Sequence, residues 1–131
     1  MLITQFLIDT LTAQAKASPR LRQNYDLRNS EHDQSQRMLN ALEPGTMLPI
    51  HRHTKSSETV VVLRGKVEWL YYDDKGQFTE KILVEAGGEI CGISVPIGQW
   101  HTLCSLESGS IVLSCKDGPW ENLSENDILN F

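Results

Sequence analysis

The first residues of the chain repeat apolar positions at helical spacing. Five apolar side chains recur three or four residues apart: Ile3, Phe6, Leu7, Leu11 and Ala15. This period places them on one face of an α-helix. Ser18-Pro19 ends the pattern, because a proline ring disfavours helical geometry in the residue before it. We therefore predict an amphipathic helix over residues 3–16, followed by an irregular polar connection over residues 20–35.

From Gln36 onward the helical period gives way to short apolar runs separated by turn residues. Eight runs have the length and composition of strands: 36–42, 46–53, 58–63, 66–73, 78–84, 90–95, 100–105 and 110–116. The segments between them carry Gly, Pro, Asp and Ser, which favour chain reversal. About eight short strands at regular spacing predict an all-β sandwich or barrel with the helix packed outside. The sequence after Trp120 has no clear period.

The length of the chain fits one domain. Its 131 residues are enough for one hydrophobic core, and 40% hydrophobic and 22% charged residues are typical of a globular protein. We expect residues 1–35 to form the helix and connection packed on the barrel, and residues 36–131 to form the barrel itself.

The net charge and the cysteine content indicate which binding partners and which cellular compartment to expect for this protein. A net charge of -5 repels a nucleic-acid backbone, and no run of Lys or Arg offsets it, so we expect no nucleic-acid partner. The first fifteen residues lack the basic start of a secretory signal, and no segment approaches the ~20 apolar residues of a membrane span. Three cysteines cannot all pair within one chain, so we predict reduced, buried thiols and a cytoplasmic protein.

Three residues over a short stretch have the chemistry of metal ligands. His51 and His53 lie two apart on a predicted strand, so both imidazoles point to the same face. Glu58 lies five residues beyond His53 and would face the other way on a continuous strand. Because residues 54–57 are polar and turn the chain, we predict that Glu58 opens the returning strand of a hairpin and points back at the histidines.

A fourth candidate ligand comes from far along the sequence. Pro96-Ile97-Gly98 predicts a tight turn, and His101 begins the strand that follows it. A strand of an all-β scaffold can deliver this imidazole to the same cavity. Three of the four histidines are then accounted for by one site, and His32 lies in the polar connection.

These residues resemble the signature motifs of a known superfamily. Gly45-x5-His51-x-His53-x4-Glu58-x6-Gly65 resembles the first cupin motif at every defined position. The resemblance implies a cupin double-stranded β-helix, a jelly-roll sandwich or barrel, with a metal site formed by His51, His53, Glu58 and His101.

The second cupin motif is matched at its core. Pro96-x-Gly98-x2-His101 is similar to it, but Ile90 and Ser105 stand where the family usually has glycine and asparagine. Neither position is a metal ligand in the family, so the departures concern local turn geometry.

A narrower resemblance lies outside the two motifs. Four segments look like the WbuC-type cupin-fold metalloproteins: residues 36–42, 50–53, 100–102 and 116–120. This resemblance implies a bacterial protein that is often associated with O-antigen or other surface-polysaccharide genes and whose reaction is not established.

The candidate ligands suit one divalent transition metal ion. Three imidazoles and a carboxylate fit Fe, Mn, Zn, Ni or Cu, and four protein ligands leave coordination positions open for a substrate. We favour a metal-dependent isomerase, epimerase or lyase that acts on a sugar or sugar-nucleotide. A non-haem Fe(II) dioxygenase of a small metabolite and a non-enzymatic metabolite-binding protein are the alternatives.

One residue outside the ligand set is a candidate substrate contact. The guanidinium of Arg37 could bind a carboxylate or phosphate in a bidentate manner, and it could equally be a surface charge. We also expect a homodimer, because the edge strands of such sandwiches are often covered by pairing and cupins are often dimers.

Overall fold

Two five-stranded antiparallel sheets pack face to face, with one helix outside them. The computed structural model describes residues 1–129, and the bounds of its elements are α1 Gln5–Ala17, β1 Arg22–Asp26, β2 Ser35–Leu42, β3 Ile50–His51, β4 Glu58–Arg64, β5 Lys66–Tyr72, β6 Phe78–Glu85, β7 Gly92–Val95, β8 Trp100–Ser105, β9 Ser110–Asp117, a 3₁₀ turn Glu125–Asp127 and β10 Ile128–Leu129. The strand order is β1-β2-β9-β4-β7 in the first sheet and β10-β3-β8-β5-β6 in the second. The predicted all-β fold with an N-terminal helix is confirmed.

The core lies between the two sheets, on the side chains that alternate inward along each strand. Its buried members are Leu42, Val60, Val62, Val67, Trp69, Val84, Val95, Leu103 and Val112. Because successive strand residues point to opposite faces, the same alternation sends every second residue of β2, β4, β8 and β9 toward the interior. The apolar ones fill one end of the sandwich, and the polar ones gather at the other.

The helix is held on the outer face of the first sheet. The Thr4 side chain accepts a hydrogen bond from the Leu7 amide at 3.1 Å and caps its N-terminus. The buried side chains of the helix are Ile8, Leu11, Thr12 and Ala15. The predicted apolar face was wrong at Ile3 and Phe6, which are 47% and 82% exposed. Ile3 precedes the helix, and the buried face of the helix contains Ile8 instead of Phe6.

A strand lies where the sequence predicted an irregular connection. β1 pairs antiparallel with β2 along its whole length, from Arg22 opposite Leu42 to Asp26 opposite Met38. Its residues are polar, so the hydrophobic alternation by which a strand is recognised is missing. The prediction of an irregular connection is therefore wrong for residues 22–26.

The strand predicted over residues 46–53 is much shorter. Only Ile50–His51 pairs, because Pro49 has no backbone N–H to donate to a ladder. The segment without clear period ends in β10, where Ile128 lies opposite His51 and Leu129 opposite Ile50. The end of the described chain therefore lies beside one of the candidate ligands.

Gly65, which joins β4 of the first sheet to β5 of the second, is required by the structure. Gly65 has φ +80°, and a Cβ atom there would lie 2.8 Å from the Ser110 Cα. Only glycine tolerates both the left-handed conformation and this close approach. The last glycine of the first cupin-like motif thus permits the close approach of this connection to Ser110 on β9.

The cysteines differ from the sequence-based expectation. All three thiols are free, but Cys91 and Cys104 are exposed and Cys115 is half-buried, because each lies on or beside an outward-facing strand position. The prediction of buried thiols was therefore wrong. Within residues 1–129, no helix is both long and apolar enough to cross a membrane.

Candidate metal centre

The fold brings the three predicted histidine ligands together at the polar end of the sandwich. His51 on β3 lies directly opposite His101 on β8, and His53 follows two residues after His51. One ring nitrogen from each of the three lies within 4.8 Å of the others. The ring centroids of His51 and His101 are 4.3 Å apart, and those of His53 and His101 are 5.5 Å apart.

Glu58 reaches the same place from the other sheet. Its Oε1 lies 3.7 Å from His53 Nε2 and 3.6 Å from His101 Nε2, and its Oε2 accepts a hydrogen bond from the Ser114 hydroxyl at 2.8 Å. The predicted hairpin between the histidines and Glu58 was wrong, because β3 and β4 belong to different sheets. The carboxylate therefore meets the imidazoles across the sandwich.

The backbone fixes two of the three imidazoles. His51 Nδ1 lies 2.9 Å from the Pro49 carbonyl oxygen, and His101 Nδ1 lies 2.8 Å from the Gln99 carbonyl oxygen. A carbonyl only accepts, so each Nδ1 carries the proton and each Nε2 keeps its lone pair. This arrangement of a second hydrogen bond behind the ring is the usual one for metal-binding histidines.

Two ring nitrogens at the centre are buried without a hydrogen-bond partner. Among the described residues, His53 Nε2, His101 Nε2 and Trp69 Nε1 are the buried side-chain polar atoms in this condition. A buried polar atom left unsatisfied costs about 1–3 kcal/mol, so such atoms require an explanation. A cation held between the rings and Glu58 would satisfy both histidine nitrogens.

The ionisation of the cluster favours a cation. Burial, reinforced by the charge of His101, lowers the pKa of His51 to about 4, and burial lowers that of His53 to about 4 against the attraction of Glu58. Burial alone would raise the pKa of Glu58. The imidazoles of His101 and His53, 3.6 and 3.7 Å from its Oε1, and the Ser114 hydroxyl together lower the pKa to about 2. At neutral pH His51 and His53 are therefore neutral and Glu58 is a carboxylate, which are the protonation states that bind metal.

The third imidazole is held by an amine. Lys116 Nζ lies 3.1 Å from His53 Nδ1, on the position of β9 directly opposite Glu58. Burial lowers the pKa of Lys116, and the charges of Glu58 and Glu121 oppose this effect. A charged amine can only donate, so it places the ring proton of His53 on Nε2. A metal ion at Nε2 would therefore require the release of one proton from this pair.

An aromatic ring supports the most buried member of the cluster. The Trp69 ring stacks on the His101 ring with centroids 5.4 Å apart and an interplanar angle of 10°. His101 is 1% exposed and Trp69 is 2% exposed. The stack and the Gln99 carbonyl together leave the His101 ring little freedom to turn.

Two cavities flank the centre. The first, which we name the β1 cavity, has a volume of about 280 Å³ and is bordered by His51, Glu58 and His101 together with Arg22 and Asn24. The second, the C-terminal cavity, has a volume of about 300 Å³ and touches the centre through His53. Since three of the four candidate ligands border the β1 cavity, a molecule bound there has the fuller access to the centre.

The predicted substrate contact, Arg37, lies on the opposite side of β2 from the interior face. Its Nη2 donates to the Leu27 carbonyl at 3.1 Å and to Asp33 Oδ2 at 3.3 Å. It also borders a cavity of about 170 Å³ that reaches Glu58. Its role in substrate binding stays a prediction.

Four other residues that border the β1 cavity were missed from the sequence: Arg20, Arg22, Asn24 and Ser114. The first three lie in or beside β1, where the sequence predicted no strand. Arg22, Asn24 and Asp26 lie on one face of β1, but the residues between them are also largely polar. The sequence therefore shows no alternation of apolar and polar residues from which a strand could be recognised.

Comparison with known structures places this fold in a class. KdgF from Halomonas sp. superposes with a TM-score of 0.62 at 16% identity, over 79% of this chain and 84% of that one. Oxalate oxidase in complex with glycolate gives 0.66 at 14% identity, over 82% of this chain and 56% of that one. Oxalate decarboxylase from Bacillus subtilis, described with Mn(II) centres, gives 0.58 at 23% identity, over 82% of this chain and 27% of that one. At these identities the likeness concerns the fold alone: the chain has the fold of these proteins.

The sequence identifies the family of the chain. Residues 3–84 match the family described as Domain of unknown function (DUF6016), and the chain belongs to this family. No curated protein matches the sequence significantly. The chain spans about half the length of oxalate oxidase and about a quarter of that of oxalate decarboxylase.

Proposed function

We propose that this protein binds one divalent transition metal ion through His51, His53, Glu58 and His101. The observation that carries the proposal is the pair of buried, unpartnered Nε2 atoms of His53 and His101, both within 3.7 Å of a carboxylate oxygen. Imidazole nitrogens and a carboxylate fit Fe, Mn, Zn, Ni and Cu, and the ligand set by itself does not select among them.

The chain's own residues prepare the site in three ways. The Pro49 and Gln99 carbonyls set the tautomer of two imidazoles, and Ser114 orients the Glu58 carboxylate. The sandwich excludes water from His101, which strengthens electrostatic interactions there. A bound divalent ion would supply Lewis-acid chemistry by polarising a carbonyl or hydroxyl oxygen.

The metal proposal is tested by metal content. We expect close to one equivalent of a transition metal, by mass spectrometry, in protein purified without added metal or reconstituted with Mn(II), Fe(II) or Zn(II). His101→Ala and Glu58→Gln should each lose it, because each removes a ligand. His32→Ala is the matched control, since the His32 side chain is 88% exposed and lies outside the cluster. Wild-type protein that binds no metal after reconstitution would refute the proposal.

We further propose that the centre acts on a small polar metabolite of the carbohydrate type, as an isomerase, epimerase or lyase. The support is the β1 cavity, which brings amide, hydroxyl and guanidinium groups to three of the candidate ligands. The narrower WbuC-type assignment and its link to surface polysaccharides belong to this proposal. Turnover of a panel of sugars and sugar phosphates by metal-loaded protein, followed by NMR, tests it.

The two alternatives, a dioxygenase and a non-enzymatic binding protein, predict different experimental results. A non-haem Fe(II) dioxygenase would consume oxygen only with Fe(II) and an organic substrate, which an oxygen electrode detects. A non-enzymatic binding protein would retain its ligand unchanged over long incubation.

The expected homodimer and cytoplasmic location also stay predictions. Light scattering after size exclusion tests the first, and fractionation of the native cells tests the second.

A further inference from the structure

The β1 cavity carries more positive charge than the metal proposal requires. Arg20 and Arg22 both border it, and Glu58 is the one carboxylate among the described residues that line it. Glu58 is already a candidate metal ligand. The chain as a whole has a net charge of -5, so a positive cavity in it is a local and specific feature.

Arg22 is anchored so that part of its guanidinium remains free. Its Nη1 donates to the Met47 carbonyl at 3.0 Å and to the Thr46 hydroxyl at 3.4 Å. Thr46 in turn donates to the Arg20 carbonyl at 2.8 Å. Within residues 1–129, the Nε and Nη2 groups of Arg22 have no hydrogen-bond acceptor, and neither has the guanidinium of Arg20.

The two arginines lie close enough to repel each other. Burial lowers the pKa of Arg22, and the charge of Arg20 adds to this effect. An anion between the two guanidinium groups would remove the repulsion and accept the free N–H groups. Paired arginines at a cavity rim are suited to carboxylate and phosphate oxygens, which guanidinium groups bind in a bidentate manner.

Neutral polar groups continue from the arginines toward the centre. Asn24 on β1 lies directly opposite Asn40 on β2, and both border the cavity. No hydrogen bond of either amide side chain occurs within the described part of the chain. Such amides donate to and accept from hydroxyl groups, so they suit a polyol.

The volume of the cavity limits the ligand. Binding sites for small molecules commonly measure about 300–1,000 Å³. At about 280 Å³ the β1 cavity is at the low end, which suits a single sugar ring and is too small to enclose a nucleotide sugar.

We infer that the β1 cavity binds an acidic, monosaccharide-sized polyol, with its anionic group on Arg20 and Arg22 and its hydroxyls on Asn24 and Asn40. The inference rests on the proposed function, since it assigns the substrate class of the same centre. It narrows the sequence-based expectation of a sugar or sugar-nucleotide to an acid of the size of one sugar ring. The shared chemistry is a cluster of anionic oxygens, supplied by a carboxylate or by a phosphate.

The test is titration calorimetry on the whole protein with and without Mn(II). Glucuronate, glucose 6-phosphate and glucose are the probes, which separate carboxylate, phosphate and neutral sugar. We expect at least one acid to bind about tenfold or more tightly than glucose. Arg20→Gln should weaken that acid about tenfold while the melting temperature is retained, because Arg20 is exposed.

Further variants separate binding from folding. Arg22→Gln should lose acid binding, and Arg22→Lys, which keeps the charge and one donor, should recover part of it. Arg28→Gln is the matched control: it removes a guanidinium that is paired with Asp26 and does not border the β1 cavity, and it should bind the acid as the wild type does.

The outcomes distinguish this inference from the metal proposal. Three outcomes would refute the inference. Glucose and both acids could bind equally well, neither acid could bind, or acid binding could persist in Arg20→Gln and Arg22→Gln. If Mn(II) still binds in that case, the metal proposal stands. If an arginine-dependent acid binds and no metal does, the metal proposal is wrong and the anion site stands.

Discussion

At the scale of single residues, the centre is prepared by neighbours that are not themselves ligands. The Pro49 and Gln99 carbonyls hold the imidazoles of His51 and His101 in the tautomer that leaves Nε2 free. The Ser114 hydroxyl occupies one oxygen of Glu58 and leaves the other beside the histidines. The arrangement that metal binding would require is therefore already set by the fold.

The depressed histidine pKa values predict how acid acts on the metal-free protein. The pKa of His51 and of His53 is about 4 in the folded state, against an ordinary value of 6.5. Between these values the unfolded chain binds more protons, so the free energy of unfolding rises with pH from about 4 to 6.5 and levels off above. Urea unfolding of metal-free protein between pH 4.5 and 7.5 measures this.

A variant isolates the histidine contribution to this pH dependence. His53→Asn should reduce the slope by about half, because His51 still titrates, whereas His32→Asn should leave it unchanged. Asp26 and Asp33 do not obscure the result, because interactions with Arg28 and with backbone amides hold their pKa values below 3.8 and they act at lower pH. An equal slope in wild type and His53→Asn would contradict the assignment.

The amine behind His53 should weaken metal binding. Lys116 Nζ lies 3.1 Å from His53 Nδ1, and a positive charge so near opposes a divalent cation. We expect Lys116→Met to bind Mn(II) about fivefold more tightly, which corresponds to about 1 kcal/mol. Competition with a chromophoric chelator at pH 7 measures the affinity.

Lys55→Met is the control for Lys116→Met. The Lys55 side chain is 77% exposed and pairs with Glu121 away from the histidines, so its removal should change little. Weaker binding in Lys116→Met would instead show that the lysine is needed to position the His53 ring.

At the scale of elements, the helix is a separate layer that the sheet holds by a few buried side chains. Leu11 is 2% exposed against β2 and β9, whereas Phe6 on the same helix is 82% exposed. We expect Leu11→Ala to lower the free energy of unfolding by about 2–5 kcal/mol. Phe6→Ala, the matched control, should change it by less than about 0.5 kcal/mol. Urea denaturation compares the two, and equal effects would contradict the packing described.

The C-terminal segment of residues 121–129 is held in place largely by Arg52. Arg52 Nε donates to Asp127 Oδ1 at 2.9 Å, its backbone N–H donates to the Asp127 carbonyl at 3.1 Å, and its guanidinium lies 4.5 Å from the Trp100 ring centroid. We expect Arg52→Ala to raise amide hydrogen exchange in residues 121–129, because the side-chain tether is lost. Exchange in β5 should stay at its wild-type rate. If exchange in residues 121–129 is also unchanged, the pairing of β10 with β3 is sufficient to hold this segment and the arginine is not needed.

The strands divide into those that the sequence predicted closely and those that it did not. The predicted runs 58–63 and 100–105 correspond to Glu58–Arg64 and Trp100–Ser105, because their alternating apolar residues face a core. β1 was missed because its inward residues are polar and serve a cavity. Periodicity detects burial, so it finds the strands of the core and overlooks a strand that lines a site.

The candidate centre was predictable to a similar degree. The spacing of the histidines and Glu58 identified the group, since those residue types at that spacing match a motif. A single sequence does not show that β4 pairs with β9. This pairing determines which sheet carries Glu58, and it places Lys116 behind His53.

At the scale of the whole molecule, the candidate ligands come from both sheets. His51 and His101 belong to one sheet and Glu58 to the other, so a bound ion would link the two layers of the sandwich. Binding to the folded state alone stabilises it, by about 2.7 kcal/mol at a free concentration one hundred times Kd. We expect Mn(II) to raise the melting temperature measured by calorimetry, and Glu58→Gln to remove most of this shift. A shift retained in full by Glu58→Gln would exclude the cross-sheet link.

The parallel stacking of Trp69 on His101 has a practical consequence. An indole that is 2% exposed emits at short wavelength, and a ring in contact with it alters the emission when that ring gains a proton or a paramagnetic neighbour. Trp120, by contrast, is half exposed, and an exposed indole emits at longer wavelength. The protein therefore contains its own fluorophore at the centre, and in a Trp100→Phe variant, which lacks the other buried indole, occupancy could be followed without a label from the blue edge of the spectrum.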